Sequence, residues 1–132
     1  DSDGNTLKQY EPEIRNTVDV LSDSDWDAIH TGMRMVVENT KEFDGFPIEA
    51  AGKTGTAQED LKRPNHALFV GYAPYDNPEI SIATRIANGY TSHNAAEVSK
   101  KILAYYFKVE DADSLLNGQA ENINATSNGV ND

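Results

Sequence analysis

The chain is 132 residues long, one domain's worth of polypeptide or less, and sets 22 acidic side chains against 11 basic ones for a formal net charge of −11. That balance argues against nucleic acid as a partner, because phosphates need Lys and Arg, and it gives no pull towards anionic lipid. No apolar run approaches the roughly 18 residues of a membrane helix, and without cysteine there is neither a disulfide nor a thiolate metal site, a composition compatible with an extracytoplasmic setting.

The opening stretch, DSDGNTLKQYEPEIRNTVDV, starts in a turn-like Asp-Gly-Asn, carries little periodicity and lacks an initial Met, so a piece of a longer protein is expected. SDSDWDAIHTGMRMVVEN then supplies Ser and Asp residues suited to a helix N-cap. Trp26, Ile29, Met33, Val36 and Val37 recur at helical spacing and predict an amphipathic helix over 24–38. Gly32 costs such a helix about 1 kcal/mol against Ala, which implies close packing there. KEFDGFPIE reads as a loop.

Three strands are predicted next: Ile48–Ala57, His66–Tyr75 and Glu79–Asn88. The second sets Leu68, Val70 and Tyr72 on one face and Ala67, Phe69 and Gly71 on the other. A strand apolar on both sides belongs at the centre of a sheet covered on both faces. In the third, Ile80, Ile82 and Ile86 share a face, and the short Asp-Asn-Pro connection suits an antiparallel hairpin. A last helix is expected from SHNAAEV, over 94–106, with Ala95, Val98, Ile102 and Tyr105 as its buried stripe. Residues 1–108 are expected to be a portion of one domain, of α+β class: a three-stranded antiparallel sheet flanked by an N-terminal and a C-terminal helix. Residues 109–132 hold no Lys or Arg and are rich in Asn, Asp, Ser and Gly, so a disordered acidic tail is expected.

Residues 49–60, EAAGKTGTAQED, place a lone lysine among glycines and threonines, a string used in phosphate binding and in acyl transfer. A P-loop would need its opening glycine at position 47, which is Pro47 and has no N–H to offer; Glu49 would also put a carboxylate where phosphate sits. The string lies on a strand besides, so phosphate binding fails. The small residues Gly52, Gly55 and Ala57 admit two readings. Either a substrate backbone approaches and pairs with the strand, or the glycines allow a bulge or tight packing against a helix.

AGKTGTAQ resembles the Lys-[Thr/Ser]-Gly-Thr motif of the penicillin-binding transpeptidases. With the GMRMVVEN helix before it and ALFVGYAP and an Ile-rich strand after it, Leu21–Phe107 resembles the C-terminal part of a class B penicillin-binding protein of the rod-elongation type. The resemblance implies a peptidoglycan D,D-transpeptidase that acylates a serine with a stem peptide, passes the acyl group to a neighbouring amine and binds β-lactams, without cofactor or metal. It implies that Lys53 keeps the site cationic and assists proton transfer. Thr54 and Thr56 would hold the substrate's terminal carboxylate, the Thr56 N–H would complete the oxyanion hole, and Gly55 would leave room for the approach. It also implies a membrane-anchored parent on the outer face of the bacterial cell membrane, with stem peptides, β-lactams and the remainder of the transpeptidase domain as partners.

The departures from the pattern are specific. No S-x-x-K occurs, and Ser92-His93-Asn94, which spells S-x-N, follows the K-T-G strand and reads as a helix N-cap. The chain is thus expected to be a fragment carrying one of the family's catalytic motifs, and inactive alone. The alternatives are a relative of serine β-lactamases and D,D-carboxypeptidases, or a non-catalytic sensor module that holds D-Ala or β-lactam carboxylates. His30, His66 and His93 share no metal-ligand spacing and read as isolated, surface or partly buried histidines. Gln58–Pro64 reads as a solvated mixed-charge turn. A sheet face left uncovered by the missing part would drive self-association.

Overall fold

A computed structural model describes residues 13–115 together with Thr6, Lys8 and Glu11. Helix α1 spans Asp23–Glu38 and is followed by a 3-10 turn at Lys41–Phe43. Strands β1 (Ala51–Ala57), β2 (His66–Ala73) and β3 (Ile80–Ile86) come next, then α2 (Ser92–Tyr106) and a single turn, α3 (Ala112–Leu115). The sheet has the order β1-β2-β3 with both pairings antiparallel, so β2 is central as its two-sided apolar pattern predicts.

Ser22 and Asp25 start α1 as a capping box. The Asp25 N–H donates to Ser22 Oγ at 3.3 Å and the Ser22 N–H donates to Asp25 Oδ2 at 2.9 Å. The Ser22 hydroxyl, which donates to Asp25 Oδ2 at 2.7 Å, and then the Ser22 N–H hold the Asp25 carboxyl below its ordinary range. The helix buries Val37 and half-buries Trp26, Met33 and Val36, but Ile29 is exposed. Close packing at Gly32 is not found, since a Cβ there would meet nothing within 4 Å.

The strands are shorter than their patterns. Strand β1 begins at Ala51, not Ile48. Strand β2 stops at Ala73 because Pro74 has no N–H for the ladder. Strand β3 stops at Ile86, and soon after it Asn88 and Tyr90 adopt positive φ, 53° and 67°, which no strand accommodates.

One face of the sheet carries the core. Phe69 is fully buried and stacks on Phe43 with ring centroids 5.6 Å apart, beside Ala67, Ala73, Ala95, Ala96 and Leu103. The stripe expected for α2 is corrected here: Val98, Ile102 and Tyr105 are 39%, 46% and 60% exposed, and the buried face is Ser92, Ala95, Ala96, Ser99, Leu103 and Ala104. Small residues let the helix settle close to the sheet. The Ser99 hydroxyl is satisfied there by the Ala95 carbonyl at 2.7 Å and Thr84 Oγ1 at 2.8 Å, so its burial leaves no orphaned polar group.

Helix α1 packs against β1 and reaches the opposite face at its Ala51–Tyr72 end, where His30 meets the Tyr72 ring edge-on. The rest carries Lys53, Gly55, Leu68, Val70, Ser81, Ala83 and Arg85. Val70 is 48% exposed, but its β3 neighbours are small or polar, so this face is less apolar than β2 alone implies. Of the expected tail, Val109 and Glu110 donate their N–H groups to the Ala104 carbonyl and Ala112–Leu115 make a helical turn. Residues 116–132 lie outside the described residues.

Candidate active site

Strand β1 is an edge strand, and the geometry at its glycines shows which way its polar backbone points. Gly52 faces Gly71 across the ladder. A Cβ on Gly71 would lie 2.6 Å from the Ala51 carbonyl oxygen, and one on Gly52 would lie 2.8 Å from that of Val70. Those carbonyls therefore point into the β1–β2 ladder. Main-chain groups alternate along a strand, so Lys53 and Gly55 direct theirs to β2 while Thr54 and Thr56 direct theirs to the free edge. The Lys53 ammonium agrees with this, donating to the Thr54 carbonyl at 2.7 Å from an exposed position.

Side chains sort by face. Lys53 and Gly55 lie opposite Val70 and Leu68, on the face away from α2. Thr54 and Thr56 lie opposite Phe69 and Ala67, on the α2 side, where Thr56 Oγ1 accepts the Ser92 N–H at 3.2 Å. The four residues expected to form the site thus share one strand end, at the corner of an open edge and an open face. The N-cap of α2 is Thr91, not Ser92: its hydroxyl accepts the His93 N–H, and Ser92 is the first helical residue. Asn94 instead ties the turn, donating to the Gly89 carbonyl at 2.7 Å.

The packing reading holds for Gly52 and not for Gly55. At Gly52 a Cβ would meet Phe69 Cζ at 2.4 Å, so this glycine exists for packing. At Gly55 a Cβ would meet only Leu68, at an ordinary 3.5 Å, so nothing internal demands a glycine there.

His66 corrects the expectation of isolated histidines. It is buried at the start of β2, its Nδ1 accepts the Asn88 N–H at 3.0 Å, and its Nε2 lies 2.5 Å from Glu59 Oε2. An accepting Nδ1 leaves the proton on Nε2, which donates to Glu59. No spacing rule could have found this, since the partners lie 7 and 22 residues away on irregular segments. His93 pairs with Glu42 at 2.9 Å, and His30 packs between Trp26 and Tyr72. Among the described residues no group of three or more His, Cys, Asp or Glu could hold a metal. A shallow cleft lies elsewhere, between α1 and the 3-10 turn. There Arg34 donates to the Ala50 carbonyl and pairs with Glu38 and Glu49.

The family described as the penicillin binding protein transpeptidase domain matches residues 5–104. The peptidoglycan D,D-transpeptidase MrdA of Haemophilus influenzae is 32% identical over 125 residues, which cover 79% of this chain and 19% of that protein. Penicillin-binding protein 2B of Streptococcus pneumoniae is 29% identical over 119 residues, covering 78% and 17%. Among solved structures, Pseudomonas aeruginosa PBP2 in complex with WCK 5153 has a TM-score of 0.64 at 32% identity, over 74% of this chain and 23% of that one. The S. pneumoniae penicillin-binding protein 2B structure reaches 0.65 at 28% identity, over 81% and 19%. The chain spans about a fifth of the length of the curated relatives it matches. With most of its length matched and its sheet and helices superposing on theirs, the chain belongs to the penicillin-binding protein transpeptidase domain family.

Proposed function

We propose that this chain supplies the K-T-G strand of a peptidoglycan D,D-transpeptidase, whose serine nucleophile comes from outside these 132 residues. The observation that carries the reading is the corner of β1, where the outward main chain of Thr54 and Thr56 meets the Lys53 ammonium. An extended stem peptide, or a β-lactam that mimics one, pairs along this free edge. Lys53 holds positive charge beside the reacting serine and assists its proton transfer. Thr54 and Thr56 hold the terminal carboxylate, and the Thr56 N–H stabilises the oxyanion as the tetrahedral intermediate forms. The enzyme acts on the outer face of the cell membrane; no helix among the described residues is long and apolar enough to span it. The exposed Val98, Ile102 and Tyr105 support attachment to the rest of the domain or self-association, read by sedimentation at low and high concentration.

The test is acylation of the whole enzyme by a fluorescent penicillin. Lys53→Ala should leave the fold intact and cripple acylation. Thr56→Val should cost about 1.5–3 kcal/mol, a roughly ten- to hundred-fold slower reaction, as for a lost hydrogen bond to a charged group. Rates within about twofold of wild type for both variants would place the site elsewhere.

A further inference from the structure

We infer that His66 is a positioning residue for the K-T-G strand, holding the end of β1 against the start of α2 through a closed ring of contacts; the inference rests on the transpeptidase reading above. The ring runs from Thr56 along the chain to Glu59, through the carboxylate to His66 Nε2, and from Nδ1 to the Asn88 N–H at 3.0 Å. It continues along the turn to Ser92, whose N–H returns to Thr56 Oγ1 at 3.2 Å. A second bond runs parallel, from the Tyr90 N–H to the Asn65 carbonyl at 3.0 Å.

The turn needs such a hold. Asn88 and Tyr90 both sit in the left-handed region, which L residues adopt at a cost and keep only when their surroundings over-determine it. Gly89 between them is buried so closely against Ala67 that a Cβ would lie 2.8 Å from the alanine methyl. His66 pairs with Ala57, the residue after Thr56, so the ring's anchor stands beside the strand end it steadies. Its buried imidazole suits the task because one ring both accepts and donates along opposite directions. Glu59 is the charged side chain in contact with it, while β1 and the turn present Ala57 and the Asn88 amide. A proton on Nδ1 would face the Asn88 N–H donor to donor and open the ring.

The experiment uses the whole transpeptidase and two readouts. Imidazole nitrogen NMR of the histidine-labelled enzyme should show His66 as the Nε2–H tautomer at neutral pH; an Nδ1–H tautomer overturns the inference whatever the enzyme acylates. Acylation by fluorescent penicillin should fall about tenfold or more in His66→Phe, within the range expected when a reacting group is displaced by a fraction of an ångström. His66→Asn, whose Oδ1 stands where Nδ1 does, keeps the Asn88 bond but not the one to Glu59 and should acylate at least about threefold faster than His66→Phe. Asn no better than Phe, or a folded His66→Phe within about twofold of wild type, overturns the inference. If His66→Phe does not fold, Glu59→Ala cuts the same ring from an exposed loop and should slow acylation at least about threefold; no change overturns it. Lys53→Ala serves as the control: wild-type acylation in that variant would sink the transpeptidase reading and leave the tautomer to judge His66 alone.

Discussion

Two glycines three residues apart in one motif should respond oppositely to the same added methyl group. In Gly52→Ala the new Cβ would sit 2.4 Å from Phe69 Cζ, 2.9 Å from Phe69 Cε2 and 2.8 Å from the Val70 carbonyl oxygen. The ring cannot give way, because Phe69 is fully buried and stacked on Phe43, which itself meets Phe46 edge-on. Nor can the carbonyl, which points into the β1–β2 ladder. Overpacking a well-filled core costs about 1–3 kcal/mol, and a clash with backbone and a locked ring belongs at the upper end, near 3 kcal/mol. For a domain of this size that lowers the thermal midpoint by roughly 12–24 °C. In Gly55→Ala the Cβ meets only the Leu68 side chain, at 3.5 Å and 3.8 Å. The strand gains what glycine lacks, so stability should hold or rise by about 0.5–1 kcal/mol. Urea unfolding of both variants reads this, as a midpoint shift at constant slope. In the whole enzyme Gly55→Ala should still slow acylation, because its methyl projects on the Lys53 face. A Gly52→Ala protein within about 0.5 kcal/mol of wild type, or a Gly55→Ala protein losing more than about 1.5 kcal/mol, would refute the division of roles.

Three further outcomes are expected. Incubated alone with penicillin, the chain should gain no mass that survives denaturation, because none of its serines stands three residues before a lysine; a stoichiometric adduct on intact-mass analysis would reveal another nucleophile. Tyr72→Phe should stabilise by about 1 kcal/mol, seen as a higher thermal midpoint, since the Tyr72 hydroxyl is buried without a partner among the described residues and burial pushes its pKa up. A comparable loss would mean that the hydroxyl is bonded after all. The Asp25 carboxyl is held below its ordinary 3.8 by Ser22, so its contribution is present above that value and fades as pH falls through the lower folded value. Helicity followed by circular dichroism should therefore lose the first turn of α1 only below about pH 3.8, and Asp25→Asn should remove that dependence; an identical acid limb in the variant would assign it elsewhere.

Much of the architecture was written locally. The capping box at Ser22 and Asp25, the proline ending β2 and the alternation in β2 and β3 each act within a few residues, so the element order, the antiparallel sheet and the central place of β2 follow from the chain alone. So does the K-T-G string, because a motif is a local fact. What needed the tertiary structure was every choice between equivalent local options. Helix α2 offers both a stripe of large apolar residues and one of small residues. The sheet selects the small one because Ala95, Ala96 and Ser99 permit close approach and Thr84 satisfies the buried hydroxyl. Gly52 and Gly55 look alike until Phe69 lies over only one of them. His66 has no neighbour in sequence to pair with, and its partners reach it only when the segment holding Glu59 and the turn at Asn88 fold back onto β2. Helical periodicity records which residues share a face, but only the packed neighbours determine which face is cheaper to bury and which polar atom finds a partner there.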